Sequence, residues 1–321
     1  MMKMDVVTIG ETMTLFTPNE EGPLRHARSF SMKFGGAESN VAIGLSRLGY
    51  KSRWISRLGE DEFGEAMLSF IRGEGVDVSF VTRDSEAPTG VFFKEFRRMN
   101  DTRVYYYRKH SAASKMSAEL LPEEAIKDAA YLHITGITPA LGQSSRSIID
   151  KAIRIAKDNS TRIVFDPNLR LKIWSNENEA RHYLTKYASE CDIVMPGVAE
   201  AEFLFGTHTP EQYVDYFHDL GVNTVLMKLG KEGSLISAPS IPKTYVPGFL
   251  VERVVDPVGA GDAFAAGVLS GLLDGFSLNE AVRRGNAMGA MVTMVNGDAE
   301  GLPNRADLDL FMNGCKEDVK R

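Results

Sequence analysis

The sequence predicts an α/β domain built on a mostly parallel sheet, with a small antiparallel sheet inserted over that sheet's carboxyl edge. Three observations predict it. From about residue 120 onward, short β-branched runs alternate with longer amphipathic ones, the pattern of repeated β/α units. The N-terminal third carries aromatic, strand-like runs instead. Near the other end a glycine-rich turn, GAGD, leads from a β-branched run into an alanine-rich helix.

Taken in order, a first strand is expected at residues 5–10, followed by the strand-like runs ETMTLFTP and ARSFSMKF. Helices at 38–48 and 63–73 come next, and then the strands TGVFFKEFRR and TRVYYYRKH, with Asn100 and Asp101 at a hairpin turn. The helices separate the two strand groups, so segments of about 11–35 and 89–110 read as lid insertions in one domain spanning 1–321. YLHIT, RIVFD and DIVMP are strands of the main sheet, and SSRSIIDKAIRIAKD and ENEARHYLTKYASE the helices between them. Open α/β sheets bind ligands at their carboxyl edge, where the small sheet would lie. No internal repeat, low-complexity tract or long linker points to a second unit.

Composition narrows the function. Of 321 residues, 43% are hydrophobic and 25% charged, ordinary for a globular chain with one large core. A formal charge of −6 argues against a polyanionic partner, so nucleic acid is not expected. Asp5 and Glu11 interrupt the first apolar run before an export signal could form, and the ~20 consecutive apolar residues of a spanning helix occur nowhere. No membrane partner is expected. Cys191 and Cys315 stand apart, with no CxxC, so neither a disulfide framework nor a thiolate metal site is suggested, and a cytoplasmic setting fits.

The chemistry is concentrated in VVDPVGAGDAFAAG. Gly259, Ala260 and Gly261 leave backbone amides open to a ligand, and the helix beginning near Asp262 turns its unpaired amides outward. That makes an anion hole. A carboxylate at its mouth repels phosphate, so Asp262 is ill-suited to binding phosphate but well suited to taking the proton of an attacking hydroxyl. It equally suits a plain helix cap, and spacing alone leaves both roles open. The loop is no Walker A sequence, since GxxxxGK[ST] is absent, and it fails the dinucleotide fingerprint at its last position.

DPVGAGDAFAAG resembles the C-terminal signature of ribokinase-like (PfkB) kinases, and FGGAESNVAIGLSRLG with SRLGEDEFG resembles their N-terminal signature. With the helix in SLNEAVRRGNAMGAM, the resemblance covers nearly all of the chain. It implies a ribokinase-like three-layer α/β/α domain with a small β-sheet lid, and ATP with Mg²⁺ as cofactors. It also implies that Asp262 is the catalytic base, with Gly259, Ala260 and Gly261 as anion hole. By the same resemblance Gly35, Gly36 and Asn40 contact a sugar, while Lys228, Gly230 and Gly233 of VLMKLGKEGSLI lie on the nucleotide side with Asn286 near the adenine. A tight turn before the 38–48 helix and a surface turn at LGKEG are the structural alternatives. Asp256, with the carbonyl of Val258, resembles a monovalent-cation loop, which brings in K⁺. The family's N-x-x-E is altered to Gly197, Val198, Ala199, Glu200, so Glu200 would reach Mg²⁺ through water.

Arg108 and Arg170 stand where an acidic sugar would need them, because a guanidinium holds a carboxylate through two parallel hydrogen bonds, although either arginine taken alone is more often a solvated or salt-bridging surface residue. YYYRKHSAASK and DPNLRLKIW resemble the strings of 2-keto-3-deoxygluconate kinases. That resemblance implies that Tyr106, Arg108 and Arg170 bind the sugar acid, that Lys172 lies near the phosphates, and that Asp298 in MVNGDAEGLP holds a sugar hydroxyl. Phe92 replaces a tyrosine of some relatives. The expected reaction is ATP-dependent phosphorylation of 2-keto-3-deoxygluconate at C6. Its rivals are a fructokinase or other neutral-sugar or nucleoside kinase of the same family, and a non-catalytic sugar-binding regulator. A homo-oligomer through the small sheet is expected too, since open sheet edges with Phe16, Phe30 and Phe93 invite a partner.

Overall fold

The strands run, in chain order, β1 (Met4–Ile9), β2 (Met13–Pro18), β3 (Phe30–Gly35), β4 (Ser52–Gly59), β5 (Val81–Asp84), β6 (Val91–Arg98), β7 (Asp101–Tyr107), β8 (Ala129–Thr135), β9 (Arg162–Asp166), β10 (Ile193–Val194), β11 (Thr224–Lys228), β12 (Gly233–Ala238) and β13 (Ile241–Pro247). The structure is a computed structural model that describes residues 3–20, 22–98 and 101–314. Its large sheet has the order β13-β12-β11-β10-β9-β8-β1-β4-β5. The seven strands from β11 to β5 in that order are parallel, and β12 and β13 close one edge antiparallel.

Successive residues of the central strands enter opposite cores, as the two-residue period of a strand demands. Val7, Leu132, Ile163 and Val194 pack with the helices Gln143–Asp158, Glu177–Ser189 and Pro210–Asp219. Val6, Tyr131, Val164 and Ile193 pack with Ala37–Arg47, Ala260–Leu273 and Leu278–Val292. Helices therefore cover both faces of the sheet, in three layers. The helices expected at 38–48 and 63–73 are Ala37–Arg47 and Glu62–Gly73. Strand β4 is buried almost throughout, so it carries no polar alternation for a sequence reading to detect.

The small sheet has the order β3-β2-β6-β7. Its outer pairs, β2 with β3 and β6 with β7, are antiparallel. Its central pair is parallel, Thr14 facing Val91 and Phe16 facing Phe93. The reason is topological: β2 follows β1 and β6 follows β5, two parallel strands, so both chains enter the small sheet heading the same way. Of the expected turn residues, Asn100 lies outside the described residues and Asp101 opens β7. Cys315 also lies outside them, and Cys191 is a free, buried thiol.

The three phenylalanines expected to be bare partly cover one another. Phe16 stacks on Phe93 at 5.3 Å and meets Phe30 and Phe63 edge-on, which fastens the small sheet to the helix Glu62–Gly73. Among the described residues no helix is long and apolar enough to cross a membrane.

Candidate active site

A cleft of about 1490 Å³ lies between the carboxyl ends of the parallel strands and the small sheet. Its floor carries Asp166 at the end of β9, Gly197 after β10 and Lys228 at the end of β11, and its roof carries Phe92, Lys94, Val104 and Tyr106. All the site residues expected from the sequence line this cleft except Asp256, whose carboxylate is turned to Lys94.

Asp262 occupies the first turn of helix Ala260–Leu273 at 9% exposure, and the side-chain amide of Asn40 donates to its Oδ2 at 2.8 Å. One hydrogen bond thus joins the two glycine-rich segments across 222 residues of sequence. Burial raises the Asp262 pKa to about 8; the Asn40 bond opposes the rise, while the charges of Asp166, Asp298 and Glu38 add to it. Such a carboxyl group is matched to proton transfer near neutral pH.

Gly259 caps the same helix at φ +82°, in the left-handed region, and a Cβ there would come within 2.6 Å of the Asp298 carbonyl oxygen. The amides of Gly261 and Asp262 have no backbone acceptor among the described residues, so the first turn offers two open donors. Beneath them Lys228 Nζ pairs with Asp166 Oδ2 at 2.6 Å and would stand 3.5 Å from a Cβ on Gly261. Burial works to lower the Lys228 pKa, but the Asp166, Glu200 and Asp262 carboxylates outweigh it and raise it, so the ammonium stays charged. The two open amides therefore have a cationic floor.

Close approach explains the first glycine pair. A Cβ on Gly35 would lie 2.3 Å from Asp298 Oδ2, and one on Gly36 2.6 Å from the Glu11 carbonyl oxygen. Asp298 is itself buried, and Lys94 Nζ reaches its Oδ1 at 3.1 Å. Burial raises the Asp298 pKa, with Lys94 opposing.

The two arginines differ. Arg108 is buried, donating from Nε to Glu11 Oε2 at 2.7 Å, and its guanidinium carbon lies 5.7 Å from the Tyr106 ring centre. Ser111 holds the other Glu11 oxygen. Its charge is balanced inside the protein. Arg170 and Lys172, by contrast, are exposed on the cleft wall, and neither side chain has a hydrogen-bond or ion-pair partner among the described residues. Tyr106 is 39% exposed and stacks on Phe92.

The residues expected on the nucleotide side, Gly230, Gly233 and Asn286, also line the cleft. Gly233, at φ +102°, opens β12 opposite Pro247 of β13, where a Cβ would meet the Val246 carbonyl oxygen at 2.2 Å. Gly230, at φ +62°, starts the turn between β11 and β12. Asn286 binds Ser234 through Oδ1 and the Val246 and Pro247 carbonyls through Nδ2, so it holds that hairpin to helix Leu278–Val292. Both Glu200 oxygens accept backbone amides, from Leu169 at 2.9 Å and Gly197 at 2.6 Å, tying down the loop that carries Arg170. Among the described residues no group of three or more His, Cys, Asp or Glu is placed to hold a metal ion.

Three site residues escaped the sequence reading: Glu11, Lys94 and Asp166. Their common signal is a charged residue at the end of, or inside, a strand-like run, which is costly to bury unless paired. Each is paired here, with Arg108, Asp298 and Lys228 respectively.

The sequence pattern of the pfkB family carbohydrate kinases matches residues 3–305. The chain belongs to that family. This pfkB kinase is 42% identical over 313 residues to the 2-dehydro-3-deoxygluconokinase of Bacillus subtilis, covering 97% of this chain and 96% of that one. Its fold is similar to a crystal structure of a PfkB protein from Polaromonas sp. JS666, at a TM-score of 0.87 and 40% identity, covering 95% of this chain and 99% of that one. A crystal structure from E. coli in complex with ATP and Mg²⁺ matches at a TM-score of 0.88 and 28% identity, covering 97% and 99%. The ribokinase-like α/β fold is thus the fold of this pfkB kinase.

Proposed function

We propose that this pfkB kinase transfers the γ-phosphoryl group of Mg·ATP to the C6 hydroxyl of 2-dehydro-3-deoxygluconate, also called 2-keto-3-deoxygluconate. The observation that carries the reading is one cleft holding both a buried carboxylate at an open helix N-terminus and an unpaired guanidinium, Asp262 and Arg170. The name of the Bacillus subtilis relative supports the same substrate.

In this reading Arg170 takes the substrate carboxylate, with Arg108 and Tyr106 beside it. Gly35 and Gly36 let the sugar approach backbone, and Asn40 and Asp298 receive its hydroxyls. Asp262 accepts the C6 hydroxyl proton as that oxygen bonds to the γ-phosphorus; the bond from phosphorus to the bridging oxygen breaks, and ADP leaves. The open amides of Gly261 and Asp262, in the turn shaped by Gly259 and Ala260 and with Lys228 below, hold the transferring oxygens. Lys172 meets the phosphates, and Gly230, Gly233 and Asn286 form the wall for the nucleoside. Mg²⁺ fits as an ion carried by the nucleotide, because it needs few protein ligands, and Glu200 and Asp166 of the cleft lining would reach it through water. When bound it neutralises the β- and γ-phosphate oxygens.

The whole chain acts as one kinase domain, and the segments 11–35 and 89–110 act as its lid, excluding water that would otherwise take the phosphoryl group. ADP release with Mg·ATP, measured side by side on 2-keto-3-deoxygluconate, fructose, ribose and adenosine, tests the reading. Strong preference for the sugar acid is expected. Turnover on a neutral sugar or nucleoside alone would overturn the substrate, and no turnover on any would overturn the kinase.

A further inference from the structure

The most buried cation of the cleft is one the proposed reaction does not use. Lys94 rises from β6 of the small sheet, is 4% exposed, and reaches two loops of the large domain at once: Asp298 Oδ1 at 3.1 Å and Asp256 Oδ2 at 3.4 Å. These loops form the two sides of Gly259. Asp256 begins the turn that leads into it, and the Asp298 carbonyl oxygen packs where its Cβ would be.

The Asp256 loop does not fit a free K⁺. Asp256 Oδ1 accepts the Val258 amide at 3.1 Å and Oδ2 faces Lys94. The carbonyl oxygen of Thr293, beside it, already takes the amides of Val255 at 2.7 Å and Asp256 at 3.2 Å. Lys33 Nζ takes the carbonyl of Asn296 at 2.9 Å. A bare cation would have to displace an ammonium that two largely buried carboxylates hold. Burial works to lower the Lys94 pKa, yet Asp298 and Asp256 outweigh it and raise it, so the cation is permanent.

We propose that Lys94 is a positioning residue that stands in for a monovalent cation: its ammonium clamps the Asp256 and Asp298 loops around Gly259 and so sets the anion hole without added K⁺. Because this cation is covalently part of β6, the geometry of the hole is also coupled to the seating of the small sheet. The inference rests on the kinase reading.

The test measures ADP release from 2-keto-3-deoxygluconate and Mg·ATP in sodium and potassium buffers of matched ionic strength, with thermal melting in the same buffers. The wild-type protein should turn over and melt alike in both. Lys94→Ala, which opens space for an ion, should lose on the order of 10²-fold in kcat in sodium and regain much of it in potassium, with a smaller change in KM. Lys94→Met, which fills the space without charge, should stay slow in both. Wild-type turnover or melting that rises several-fold or by several degrees only with K⁺ would overturn the inference while leaving the kinase reading intact. So would Lys94→Met turning over at the wild-type rate. If the wild-type protein is inactive in both salts, the kinase reading itself fails, and K⁺-independent melting still reads the site.

Discussion

Asp262 meets two opposed demands. As the proposed base it must lose its proton first in the free protein, so kcat/KM should climb with pH toward about 8 and level off above. A flat profile through that range would place the base elsewhere. On stability the same shift has the opposite sign. The folded pKa lies above the unfolded value of about 3.9, so the contribution is fully present below about pH 4 and is lost as pH rises through about 8. Asp262→Asn should therefore lose roughly 10² to 10⁴ in turnover yet resist denaturant better than wild type at pH 8, by some ~2–5 kcal/mol. The arginines should separate as well. Arg170→Ala should raise KM for the sugar acid roughly 10- to 100-fold, the loss of a charge-assisted pair, and leave a neutral ketose unchanged. Arg108→Ala leaves Glu11 buried without its partner, and should cost about 3–5 kcal/mol in chemical denaturation whatever the substrate.

Among the elements, the turn into helix Ala260–Leu273 is the most constrained. Gly259→Ala meets both a left-handed φ of +82° and the Asp298 carbonyl oxygen, so it should destabilise by about 1–3 kcal/mol or more and depress turnover without changing KM for the sugar. Denaturant unfolding and steady-state kinetics on one preparation check both. This element was legible because glycine, alanine and aspartate in that order have few backbone solutions before a helix. Elements whose residues serve one solvent-facing surface were legible too, such as the helix Glu62–Gly73. The sequence hid β4, buried on both faces, and the parallel pairing of β2 with β6, because pairing direction is decided by where the chains leave the large sheet and not by their own side chains. It also gave Arg108 and Arg170 the same part: a guanidinium's partner is a matter of the third dimension, and Glu11 lies 97 positions away.

At the scale of the molecule, two sheets share one site but not one core. The nine-stranded sheet is held by two large apolar clusters, whereas among the described residues Met13, Leu15 and Phe92 are the buried apolar residues grouped in the small one. Amides of β2, β3, β6 and β7 should accordingly exchange with solvent faster than those of β1, β8 and β9, and slow when sugar acid and nucleotide bind together. Uniform exchange in both sheets would dissolve the distinction between lid and body. The strand order carries one more consequence. From β1 toward β13 the neighbours are β8, β9, β10, β11, β12 and β13, so each new strand joins the edge that its predecessor has just made. On the ribosome the sheet can grow outward as the chain emerges, every newcomer finding its neighbour already waiting. The helix bearing Asp262 comes after all of them and docks against Asn40, among the earliest residues made. A nascent chain stopped before that helix should carry every strand of the large sheet while one face still lacks two of its covering helices and the proposed base.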